Sequence, residues 1–259
     1  MPELPDLTVF AESLSELVLN KEIHDAVYHK KKRLNVDPEE FARSLKKRKI
    51  VKLKREGKAL LFELDNRERF LVHLMLSGGF RVCPKNEEVP SAILTVTFSN
   101  EQSMVLFDPR GLATITVHPK LDGTAVDALD LTRDYLEGLF KEQKEKTVKE
   151  LLIDQKVIAG IGNAYSDEIL YHAKISPKSI VGKIPEKALA QLVSAIPQVL
   201  TTATDYLRKN HPGMISGEVR DHLAVHRPKV KLSPSGSAIL SEQVAKKKTY
   251  YTEEQVLYK

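Results

Sequence analysis

Apolar positions along this chain change their period twice. From Asp6 to Val18, Leu7, Phe10, Leu14 and Leu17 recur three or four residues apart behind Pro5, which predicts an amphipathic helix at the start of the fold. The runs then shorten: Lys58–Asp65, Phe70–Leu76, Ala92–Phe98, Ser103–Phe107 and Leu112–Val117 are rich in Leu, Val and Phe and read as strands. Between them stand Asp65-Asn66, Ser77-Gly78-Gly79, Ser99-Asn100 and Asp108-Pro109-Arg110-Gly111, all turn chemistry. The short spacing predicts an antiparallel sandwich or barrel rather than βαβ units. Helical spacing returns over Asp134–Lys141, Val148–Ile153, Ala164–His172 and Lys187–Lys209, punctuated by Gly160, Gly162, Pro177 and Pro185. In the tail, Ser237–Val244 and Lys248–Thr252 flank a basic bend at Lys246–Lys248, which predicts a terminal hairpin.

The expected fold class is therefore α+β, with an N-terminal helix and β-sandwich over residues 1–125, a helical region over 126–225 and a hairpin over 226–259. Forty Lys and Arg against thirty-five Asp and Glu leave a charge of +5, which favours a polyanionic partner. Cys83 is the only cysteine, so neither an intramolecular disulfide nor a cysteine-based zinc site is available. No stretch approaches bilayer-spanning length and the MPELPDLTVF start lacks a secretory pattern, so a soluble intracellular protein without a membrane partner is expected.

Two places carry candidate chemistry. Removal of Met1 would leave Pro2 as a secondary α-amine, whose reference pKa of about 7.7–8.0 makes it a far better nucleophile near neutral pH than a lysine. Glu3 beside it could move the proton that opening a sugar ring requires. The same residues are also an ordinary chain start, and on their own that is the simpler reading. Further along, Gly160-Ile161-Gly162-Asn163 runs into a helix, presenting backbone N–H groups and the Asn163 amide to a phosphate, or else simply capping two core helices. Both readings stand, because cap geometry is what exposes such groups.

Five segments in order, PELPD at 2–6, EGKALLFEL at 56–64, HLMLSGGFRV at 73–82, DPRGLATI at 108–115 and LLIDQKVIAGIGNAYSDEILYHAKISP at 151–177, resemble the formamidopyrimidine-DNA glycosylase/endonuclease VIII family. The resemblance implies a base-excision DNA glycosylase that is also an AP lyase, acting as a monomer on damaged double-stranded DNA without metal or organic cofactor. A cytoplasmic, nucleoid-associated bacterial protein is implied with it. Pro2 would be the Schiff-base nucleophile and Glu3 the acid/base, and Asp6 stands where the family usually has Glu, an arm one methylene longer. Lys58 would contact the phosphate beside the lesion, where a solvated strand-edge lysine is the alternative. Asn163 and Lys149 would be DNA contacts of the helix-two-turns-helix element. Leu76, Arg110 and Leu112 would fill the hole left by a flipped base. Many relatives end in a four-cysteine zinc finger, but residues 228–259 hold no cysteine and resemble its zincless counterpart. Lys247 stands where the finger's phosphate-gripping Arg would be, keeping charge without the bidentate fork. A solvated basic turn is the other reading of Lys246–Lys248.

The basic clusters His29–Arg33 and Lys46–Lys49 could line a DNA path, and His211–Arg220 could include a short loop over the flipped base. His73 reads as structural and Asp108 as a turn residue rather than a catalytic acid. The rival reading is a non-catalytic damaged-DNA-binding protein on the same scaffold, with an RNA- or ribosome-associated protein more distant.

Overall fold

Helix α1 (Leu4–Val18) starts the chain as its periodicity predicts, burying Leu4, Leu7, Phe10, Leu14 and Val18 along one face. The computed structural model describes residues 1–30, 32–121, 123 and 125–259. These divide into two units, residues 1–122 with 207–218, and residues 123–206 with 219–259.

In the first unit, α1 is followed by β1 (Ile23–Tyr28), α2 (Pro38–Leu45), β2 (Ile50–Glu56), β3 (Ala59–Leu64), β4 (Arg69–His73), β5 (Gly79–Pro84), β6 (Ala92–Phe98), β7 (Gln102–Phe107) and β8 (Thr114–Val117). They make two four-stranded antiparallel sheets, ordered β1-β6-β7-β5 and β2-β3-β4-β8. One core joins Phe10 and Leu14 of α1 to Phe62 and Phe70 of one sheet and to Phe80, Val96 and Leu106 of the other. The Phe62 and Phe70 rings stack at 4.7 Å between centroids. The sandwich is thus observed, and neither sheet closes into a barrel.

In this unit four elements escape the hydrophobic reading: β1, β2, β5 and α2. Strand β2, IVKLKRE, buries Ile50 and Leu53 while Lys52 and Lys54 face outward, so a basic stretch conceals a strand with one wet face. Helix α2 has only Phe41 and Leu45 to bury and depends on Asp37, whose carboxylate accepts from the Glu39 and Glu40 N–H groups at 3.0 and 2.9 Å. The runs expected over Phe70–Leu76 and Leu112–Val117 are shorter as strands, because turns take Leu74–Ser77 and 108–113.

The second unit holds β9 (Val126–Asp127), α3 (Arg133–Glu142), α4 (Val148–Ile153), β10 (Ile158–Ala159), α5 (Asn163–His172), α6 (Glu186–Asn210, its last turn assigned to the first unit), β11 (Leu240–Val244) and β12 (Lys247–Tyr251). Thr147 and Glu150 form a capping box at α4. The predicted hairpin is β11-β12, paired Val244↔Lys247 across Ala245 and Lys246, both with positive φ (54° and 58°), the pattern of a type I′ turn. It packs within this unit, Tyr250 meeting Tyr171 and Val225. Residues 207–218 go to the first unit.

Candidate active site and nucleic-acid interface

At the N-terminus, Asp6 accepts the backbone N–H of Glu3 at 2.9 Å, half of a capping box that fixes the first turn of α1. The cap requires the carboxylates to fold back onto the chain start, leaving Glu3 4% and Asp6 0% exposed, with Pro2 buried between Met1 and Glu3. The Met1 amine pairs with the Glu218 carboxylate. Residues 211–218 of the expected covering loop therefore lie in the same unit as Pro2, with the Phe80 N–H donating to the Ile215 carbonyl at 3.1 Å.

Lys58 occupies the two-residue turn of the β2-β3 hairpin, where Gly57 supplies the positive φ of 54° that the first central position needs. Arg55 ties this turn to α1, donating from Nε to Thr8 Oγ1 at 3.1 Å and from Nη1 to the Gly57 carbonyl at 3.2 Å. Lys58 is 9% exposed, which excludes the solvated strand-edge reading. His73, at the end of β4, has its basicity lowered by burial and then by the Lys58 cation, and its Nδ1 accepts the Met75 N–H at 3.1 Å.

Leu76 sits 49% exposed on the turn between β4 and β5. Arg110 is exposed and Leu112 half-buried on the turn between β7 and β8. Asp108 organises both. Its Oδ1 accepts from Ser77 Oγ (2.5 Å) and the Arg110 N–H (3.0 Å), its Oδ2 from the Leu112 (2.6 Å) and Ala113 (2.8 Å) N–H groups. Burial opposes its ionisation, yet the Ser77 hydroxyl and the three amides hold the carboxyl below the usual range. A cavity of about 420 Å³ beside Arg110 and Leu112 is lined also by Lys30, Lys32 and Arg33; Lys31 of that cluster lies outside the described residues. A larger one, about 850 Å³ over β1, β6 and β7, is lined by His29 and Lys30 of the same basic cluster and by none of the expected catalytic or stack-filling residues.

In the second unit, Gln155 braces the glycine turn, donating to the Ile161 carbonyl (2.7 Å) and accepting from the Gly160 N–H (3.1 Å). Gly162 is the N-cap of α5, so Asn163 is the first helical residue and not the cap; its Nδ2 donates to the Lys248 carbonyl at 2.9 Å. This places Lys246, Lys247 and Lys248, all exposed, at a helix N-terminus.

Lys149 must be corrected. Expected as a DNA contact, it is 0% exposed and ion-paired with Asp167, itself 0% exposed, so it has no route to a phosphate. Asp167 also accepts from His226 Nδ1 (2.7 Å) and the Tyr250 N–H (2.9 Å), and Glu168 accepts the N–H groups of Ala224, Val225 and His226 at 2.7–2.9 Å. Burial pushes the Glu168 carboxyl above its ordinary range against the pull of those amides. Sequence reasoning missed this acidic pair, because a helix that is buried all round shows no polar face to read.

Two family models cover most of the chain: the formamidopyrimidine-DNA glycosylase N-terminal domain over residues 1–115 and its H2TH domain over residues 125–210. The chain belongs to the formamidopyrimidine-DNA glycosylase family. It is 34% identical to the formamidopyrimidine-DNA glycosylase of Carboxydothermus hydrogenoformans over 80% of this chain and 78% of that one, and 33% identical to that of Ureaplasma parvum over 97% and 98%. The solved Lactococcus lactis Fpg, in complex with DNA containing an abasic site, shares the fold with a TM-score of 0.87 at 22% identity, over 97% of this chain and 98% of that one. Within this formamidopyrimidine-DNA glycosylase framework the hairpin has no cysteine with which to hold zinc. Among the described residues, no group of three or more His, Cys, Asp or Glu is placed to bind a metal, and no helix is long and apolar enough to cross a membrane.

Proposed function

We propose that this member of the formamidopyrimidine-DNA glycosylase family removes an oxidised base from double-stranded DNA and then cuts the strand, using the Pro2 amine freed by loss of Met1. The amine attacks C1′ of the flipped nucleoside, the glycosidic bond breaks and the base leaves. Protonation of O4′ by Glu3, with Asp6 behind it, opens the sugar to an iminium, from which β- and then δ-elimination expel the two flanking phosphates. The observation that carries this reading is the pair of buried carboxylates, Glu3 and Asp6, at the start of α1, with the Gly57-Lys58 turn tied to the same helix through Arg55 and Thr8. Lys58 would hold the phosphate beside the lesion, Asn163 and Lys247 a phosphate at the start of α5, and Leu76, Arg110 and Leu112 the vacated stack. Such an enzyme acts as a cytoplasmic, nucleoid-associated monomer.

Borohydride trapping on a duplex with one abasic site tests it. A covalent adduct on the Pro2 peptide, read by mass spectrometry, is the expected result. Pro2→Gly, its processed terminus verified by mass, is expected to cut abasic DNA roughly a hundredfold more slowly. DNA binding without any adduct would instead support the non-catalytic reading.

A further inference from the structure

We propose that Asp108 and Ser77 form a clamp that makes the turn carrying Leu76 and the turn carrying Arg110 and Leu112 enter the DNA stack as one wedge; this rests on the reading of the chain as a base-flipping glycosylase. Leu76 stands 49% exposed at the tip of its turn, so its own packing does little to fix its direction. The neighbouring Ser77 hydroxyl reaches across to Asp108, 31 residues away, at 2.5 Å. Asp108 is 1% exposed, and its two oxygens divide the work: Oδ2 closes its own turn through Leu112 and Ala113, while Oδ1 serves the Arg110 amide and Ser77 together.

Only a carboxylate suits this position. An asparagine would offer one acceptor oxygen and turn its NH2 toward donors that need an acceptor. The opposite end of the Leu76 turn is held too: Gly79 lies so close to Ser216 that a Cβ there would come within 2.6 Å of the serine Cβ. The turn is thus pinned at its foot by residues 215–216 and tied sideways to Asp108 by a single hydroxyl. Two turns ordered together lose less freedom on insertion than two ordered separately. Ser77 and Asp108 are positioning residues; neither touches the reacting atoms.

The test separates insertion from chemistry. Fluorescence of 2-aminopurine placed opposite a tetrahydrofuran abasic analogue in duplex DNA reports stack invasion without catalysis, and borohydride trapping on single-stranded abasic DNA reports the lyase chemistry without a duplex to invade. Ser77→Ala is expected to require about tenfold more protein for the same fluorescence change, the loss of one charge-assisted hydrogen bond, with trapping at the wild-type level. Ser77→Thr, which keeps the hydroxyl, restores the response. Asp108→Asn is expected to be more severe; should it fail to fold, the Ser77 pair still decides the matter. A wild-type fluorescence titration for Ser77→Ala, or parallel loss of fluorescence response and trapping, overturns the clamp. Wild-type protein that invades the stack but yields no adduct overturns the glycosylase reading and leaves the clamp standing.

Discussion

Lys149 and Asp108 show how far one side chain's role depends on what surrounds it. Lys149 is a cation in a basic protein beside a DNA-binding motif, yet it pairs with Asp167 in the interior, where an unpartnered charge is costly. Lys149→Met is expected to lower stability by about 3–5 kcal/mol in urea unfolding, because Asp167 loses its cation. The salt dependence of DNA binding by that variant should keep its slope, whereas loss of a phosphate contact would reduce the slope by about 0.9. Asp108 has a folded-state acidity greater than its unfolded one, so its contribution to stability is present above the unfolded pKa of about 3.9 and is lost as pH falls through the lower folded value. Melting temperatures between about pH 6 and pH 3 should therefore fall less steeply for Asp108→Asn than for wild type.

Among the elements, the β11-β12 hairpin is held in place by carboxylates. Asp167 on α5 takes the hairpin amide of Tyr250 and Glu168 the amides of the bend at residues 224–226, while Lys178 joins from outside, paired with Glu242 at 2.7 Å and donating to the Tyr251 hydroxyl at 3.1 Å. Hydrogen bonds and ion pairs thus do the anchoring that four thiolates around zinc do in a metal-bearing finger. Prolonged dialysis against EDTA is accordingly expected to leave both the melting temperature and the yield of trapped adduct unchanged; a loss of either would show that a metal contributes. The turn at Ala245-Lys246 forms without glycine, at some conformational cost, and keeps a cation where glycine would offer none.

Across the whole molecule, the apolar pattern foretold α1, the strands β3, β4, β6, β7 and β8 and the helices α3 to α6, since each of these carries its apolar positions in its own residues, while the closing hairpin was legible from β-prone stretches flanking a basic bend. Strands β1, β2 and β5 were hidden because charged or glycine-rich neighbours interrupt the stripe, and only their partners supply the burial. The family motifs fixed attention on Pro2, Glu3, Asp6, Lys58, Leu76, Arg110, Leu112 and Asn163 from sequence alone, because chemistry at a chain end and turn residues at set spacings are local features. Which charged groups lie inside was decided by tertiary structure. Ser77 meets Asp108 across 31 positions, Lys149 meets Asp167 across 18 and Asp167 meets His226 across 59. A charge is buried only when partners arrive to satisfy it, and those partners come from elements that no local window of sequence contains.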